Sequence, residues 1–149
     1  MEPSFTAVWS RVTGSVPLDD ERSLLLRGHQ AAAEAARRFT AMAGQVGDYR
    51  VREALHRLAG AEERQRRKLA ALYFLRTGKR PALHPMEKRP RRPLPHFLRE
   101  EYRQALERAE SYERAAEWTP RDTAELCRAL SQEERRHAGV IQALVERSV

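Results

Sequence analysis

Apolar residues recur along this chain at alternating spacings of three and four, the period of a helix with one buried face. The clearest run lies near the end: Cys127, Leu130, Glu134, His137, Ile141 and Leu144. Two of those six positions are ionisable, although the seam of a packed helix favours Leu, Ile and Ala. An earlier run, Val51, Leu55, Leu58, Glu62, Gln65, Leu69 and Leu72, has the same form. A shift of 72 residues sets Leu58 on Leu130, Glu62 on Glu134, Gln65 on His137, Leu69 on Ile141 and Leu72 on Leu144. The chain therefore contains an internal repeat. One copy reads Glu-x-x-His and the other Glu-x-x-Gln.

Two further helices complete the pattern. The first is expected from Asp20 to Gly44, opened by the capping carboxylates Asp19 and Asp20, with the seam Leu25, Gly28 or His29, Ala32, Ala35 or Ala36, Phe39 and Met42. Its small residues allow close helix approach. After Gly47 the second helix should run from Asp48 to Thr77, stopped by Gly78 and Pro81. The short turn makes these two antiparallel neighbours. A third helix is expected from Leu98 to Trp118, with the seam Leu98, Tyr102, Ala105, Ala109, Tyr112 and Ala116. Thr119 and Pro120 should then cap and open the fourth.

Between the second and third helices lies a segment, Lys79 to His96, with prolines at 81, 85, 90, 93 and 95, which predicts extended chain. At roughly 3.1 Å per residue it can span about 55 Å. A helix of about 28 residues is roughly 42 Å long. The strap can thus cross a whole bundle. Ahead of the first helix, residues 1–17 form an N-terminal extension in which Phe5, Val8, Trp9 and Val12 predict a short amphipathic helix packed on the bundle, too poor in apolar residues for a membrane anchor.

Composition changes this picture in three places. The 149 residues suit a single domain with a continuous core. The single cysteine, Cys127, rules out an internal disulfide, and its seam position predicts a buried, inert thiol in a reducing, cytoplasmic setting. The start of the chain lacks a signal peptide's basic region, and no apolar run is long enough for a membrane span, so a soluble protein is expected. The net charge of +7 is concentrated in the strap, where Lys79, Arg80, Lys88, Arg89, Arg91 and Arg92 face the single acid Glu87.

The chemistry lies in the seam. A carboxylate and an imidazole one turn apart on a buried face need a partner, either a metal ion or a facing polar side chain. With no metal, two facing glutamates should keep at least one proton, because burial and like charge both favour the neutral acid. Tyr102, Tyr112 or an arginine of a neighbouring helix are the polar side chains expected to satisfy them.

Glu62-x-x-Gln65, Glu134-x-x-His137, the repeat and the long central connection together resemble the ferritin-like superfamily, and within it the rubrerythrin-like bundles, over residues Leu24 to Glu146. The resemblance implies an all-α four-helix bundle of two antiparallel pairs joined by the basic proline-rich crossover, residues 79–97. It also implies two metal ions, each half giving a Glu from its first helix and a Glu-x-x-His from its second. If Phe39 and Tyr112 hold the aromatic place that follows the first-helix ligand by two turns, the ligand positions fall on Ala32 and Ala105. Glu34, Glu107 and Glu110 lie nearby, but the seam count points them off the axis. Gln65 stands where one His is expected, as a neighbour of the ligands rather than a ligand. Of six implied ligands, Glu62, Glu134 and His137 remain. His29 is read as a boundary histidine.

Three functions follow. The first is a ferritin-like protein with a degenerate di-iron site, a non-catalytic scaffold that binds a protein partner or a second copy of itself, with no cofactor. The second is a mononuclear or residual di-iron metal-binding protein or oxidase using Glu62, Glu134 and His137, in the mononuclear case with one divalent Fe, Mn or Zn ion. The third is a nucleic-acid or polyanion binder using Lys79 to Arg92, ranked last because the strap lacks interleaved aromatic residues. The sequence carries no rubredoxin-type cysteine site.

Overall fold

In the computed structural model, which describes residues 18–148 apart from 87, 89 and 90, the chain forms four helices and, among the described residues, no strand. These are α1 (Leu18–Ala43), α2 (Tyr49–Thr77), α3 (Leu94–Trp118) and α4 (Arg121–Ser148). The expected short helix at Phe5 to Val12 lies outside the described residues.

Local chemistry sets the ends. Asp48 accepts hydrogen bonds from the amides of Arg50 (2.8 Å) and Val51 (3.3 Å), capping α2. Gly78 closes α2 at φ 73°, a left-handed conformation that favours glycine. Three boundaries differ from the sequence expectation. Helix α1 begins at Leu18, so Asp19 and Asp20, expected as caps, fall inside its first turn. Helix α3 begins at Leu94, because Pro95 falls in the first turn, where its missing N–H is no loss. Thr119 does not cap α4. Its hydroxyl donates back to the Ala115 carbonyl at 2.7 Å and so ends α3.

The helices pack as two close hairpins, α1 with α2 and α3 with α4. Their apolar faces meet in two clusters, each drawing on all four helices. One holds Phe39, Leu55, Leu98 and Ile141; the other holds Leu25, Leu69, Tyr112 and Leu130. The first cluster gathers the end of α1, the starts of α2 and α3, and the end of α4. Helices α2 and α3 therefore run parallel, and α1 and α4 run against them. Every seam position expected on α2 and α4 is buried. On α3 the expected Tyr102 is only part-buried, and Glu101 beside it is buried in its stead.

The described residues between Thr77 and Leu94 carry no helix or strand. They lie against α1: the His84 amide donates to Gln30 Oε1 at 2.9 Å, Gln30 Nε2 donates to the His84 carbonyl at 3.1 Å, and Arg37 meets Met86 Sδ at 3.4 Å. No described helix is long and apolar enough to cross a membrane.

Candidate functional site

Between the two apolar clusters the seams of α2 and α4 turn polar. Moving along α2, Leu55 and Leu58 give way to Glu62 and Gln65 before Leu69; along α4, Cys127 and Leu130 give way to Glu134 and His137 before Ile141. Glu62 and Glu134 have no exposed surface, and His137 is buried. Each of the three offers one ligand atom, all within 4.8 Å of one another. His137 Nδ1 lies 3.2 Å from Glu62 Oε1 and 3.7 Å from Glu134 Oε2, while its Nε2 reaches Glu133 at 3.5 Å.

The arginine expected as one alternative partner is Arg108 of α3. Its Nη2 is 3.2 Å from Glu134 Oε2 and 3.5 Å from Glu62 Oε1, so one guanidinium nitrogen touches both carboxylates. Neither Tyr102 nor Tyr112 hydrogen-bonds to them. The Tyr112 hydroxyl lies against α1, where a Cβ on Gly28 would stand 2.8 Å from it, so glycine there permits the contact. Glu62 Oε2, Glu134 Oε1 and Gln65 Nε2 are buried without a hydrogen-bond partner.

The electrostatics follow from this geometry. Burial, with the charge of Glu134 beside it, pushes the Glu62 carboxyl well up, so that it holds a proton near neutral pH. Burial acts in the same sense on Glu134, but His137 and the Arg108 guanidinium outweigh it and hold that carboxyl low. Burial alone would lower His137; the two facing carboxylates overcome it and raise the imidazole to about 9. Burial, then the two carboxylates, raise the Tyr112 phenol. Burial likewise pushes the Cys127 thiol up to about 11, as an inert core cysteine requires.

A divalent ion bonded at about 2.0–2.2 Å to oxygen and nitrogen ligands fits the donor types and spacing of Glu62, Glu134 and His137 after a small contraction. A second ion does not fit. Ala32 and Ala105, both buried, offer no donor, and Gln65 makes no hydrogen bond to the trio. Glu34, Glu107 and Glu110 stay outside: Glu34 accepts from Gln30, and the exposed Glu107 and Glu110 pair with Arg103 and Arg114. His29 is fully inside rather than at the boundary. Its Nε2 lies 3.2 Å from Arg66 Nη1 of α2, burial lowers its pKa, and it is not part of the group of ligand atoms that Glu62, Glu134 and His137 form.

Two buried charge networks have no counterpart in the seam count. Glu101 pairs with Arg38 of α1 at 2.5 Å, and Glu21 accepts from both Arg76 (2.8 Å) and the Thr123 hydroxyl. Glu101 lies beside the expected seam position Tyr102, whereas Glu21 lies on the line of the α1 seam, one turn ahead of its first expected member, Leu25. Their signal is a carboxylate flanking or preceding the apolar stripe with an arginine available on the facing helix. Arg108, one turn beyond Ala105, carries the same signal.

The fold and site thus define an all-α protein with a carboxylate, imidazole and guanidinium cluster enclosed among four helices. Compared with known families, characterised proteins and solved structures, the chain has no match.

Proposed function

We propose that the chain is a ferritin-like bundle of the rubrerythrin type whose dimetal-carboxylate centre has become a self-neutralised polar core, leaving a non-catalytic scaffold or partner-binding protein. The observation that carries this reading is the Arg108 guanidinium, in reach of both Glu62 and Glu134. It supplies the positive charge that the resemblance assigns to metal. The ferritin-like part draws support from the parallel course of α2 and α3, which a long crossover between opposite bundle ends would produce. Oxidation chemistry on two metals needs both ions held with open positions. Ala32, Ala105 and Gln65 remove half of the ligands for that.

A second reading is favoured by the partnerless buried oxygens Glu62 Oε2 and Glu134 Oε1. In it Glu62, Glu134 and His137 hold one Fe, Mn or Zn ion, which when bound would supply Lewis-acid or one-electron chemistry. Metal content per chain after purification without chelators separates the two. The scaffold reading expects no stoichiometric ion; one ion per chain, lost in a Glu62→Gln, Glu134→Gln double variant, establishes the second.

A further inference from the structure

A cleft of about 700 Å³ lies between α1, the strap and the first turns of α3, and none of Glu62, Arg108, Glu134 and His137 lines it. That volume is in the range of small-molecule sites, roughly 300–1,000 Å³. One part of its lining is apolar: Met42 and Ala41 from α1, Met86 from the strap and Phe97 from α3. Phe97 is fixed from behind, edge-on to the buried Phe39 with ring centroids 6.0 Å apart. The other part is cationic, with Arg37, Lys88, Arg91 and Arg92.

Two of the three acids of the lining are paired with arginines, and the third is held by a neutral amide. Glu101 is taken by Arg38, Glu100 accepts from Arg103 at 2.6 Å, and Glu34 accepts from Gln30. The cations are not matched in the same way. Among the described residues, Arg37 meets the Met86 sulfur, Arg92 reaches the His96 ring and acts on the charge of Glu100, and none of Arg37, Lys88, Arg91 and Arg92 makes an ion pair. The adjoining start of α3 has no side-chain cap and no acid in its first turn, so its positive end is uncompensated as well. A surface of this kind offers charge to an anionic head and an apolar wall to the body that carries it.

We infer that this cleft binds a small amphipathic organic anion, a carboxylate or sulfonate head on an apolar body, with Arg37 and Arg91 holding the head and Met42, Met86 and Phe97 packing the body. The strap's positive charge then serves a small ligand rather than a nucleic acid. The inference stands whether or not the polar core takes an ion.

The test is a fluorescence titration of the full chain with 8-anilinonaphthalene-1-sulfonate at low salt, followed by competition. One site per chain is expected, with decanoate displacing the probe and decan-1-ol failing to. An Ala41→Glu variant, which adds a carboxylate at an exposed helical position in the cleft, should weaken probe and decanoate about tenfold at an unchanged melting temperature, as losing a charge-assisted contact does. Arg37→Gln with Arg91→Gln should do the same. Unchanged affinity in Ala41→Glu, equal competition by decan-1-ol, or displacement by a short oligonucleotide with decanoate inert would each overturn the inference.

Discussion

Replacing Arg108 by Met removes the cation of the polar core while keeping most of the side chain's apolar volume. Its guanidinium is 3.2 and 3.5 Å from two carboxylates whose side chains are at most 1% exposed, and its own side chain is 14% exposed. Breaking one partner out of a buried ion pair costs roughly 3–5 kcal/mol. The slight exposure of Arg108, and the freedom of Glu62 to stay protonated, place this case at the lower end, about 3 kcal/mol. At about 2–4 °C per kcal/mol for a chain of this size, the melting temperature in chelator should fall by roughly 10 °C. The anionic hole left behind then suits a divalent ion. Zinc or manganese at a hundred times its Kd should restore about 2.7 kcal/mol. Arg108→Lys, which keeps the charge but loses the fork, should fall between the two. The assay is thermal unfolding of wild type and variants, with chelator and with each metal. If wild type already gains stability from metal and Arg108→Met leaves both the melting temperature and that gain unchanged, Arg108 is not the cation of the site and the scaffold reading fails.

Glu62→Gln with Glu134→Gln leaves Arg108 and His137 buried opposite neutral amides, so the double variant should lose roughly 3–5 kcal/mol in urea unfolding; removing Arg108 as well, by Met, should recover most of that loss. Between pH 6 and 9 the chelated protein should lose stability, because Glu62 and His137 both hold protons in the fold that the unfolded chain releases. The His137 contribution is complete below its unfolded value and disappears as pH rises through about 9; the Glu62 contribution disappears in the same direction, whereas that of Glu134, whose pKa is lowered, is lost only on acidification. Urea midpoints across that range check the slope, and a midpoint that rises with pH would contradict the assigned protonation.

The seam was legible because it is a property of spacing. Every position that alternating threes and fours named on α2 and α4 is buried, Glu62, Gln65, Glu134 and His137 included, although small neighbours such as Ala59 and Ala138 are buried too, and Asp48 and Gly78 marked both ends of α2 by chemistry that one residue carries alone. What escaped depends on reach. Arg108 and Glu101 flank the apolar stripe and Glu21 precedes it by one turn, and whether such a side chain turns inward is decided by a facing helix about 8–10 Å away. Thr119 escaped for another reason: the same hydroxyl can cap the helix after it or close the one before, and the two choices read alike in sequence.

The repeat itself shows why the core is lopsided. The shift that superposes Tyr112 on Phe39 also puts Arg108 on Ala35, which is fully buried, and His137 answers to Gln65. Both basic groups of the cluster therefore come from the second half, while each half still contributes one glutamate. Two ions bound symmetrically would need matching donors from both halves. A closed core needs only electroneutrality, and here, with a proton kept on Glu62, Arg108 and the His137 imidazolium face the Glu134 carboxylate and that of Glu133, 3.5 Å from His137 Nε2, without any third cation. A second arginine at position 35 would add a buried charge that no group is left to neutralise. The asymmetry of the repeat is thus what a bundle needs once its core is neutralised by its own side chains.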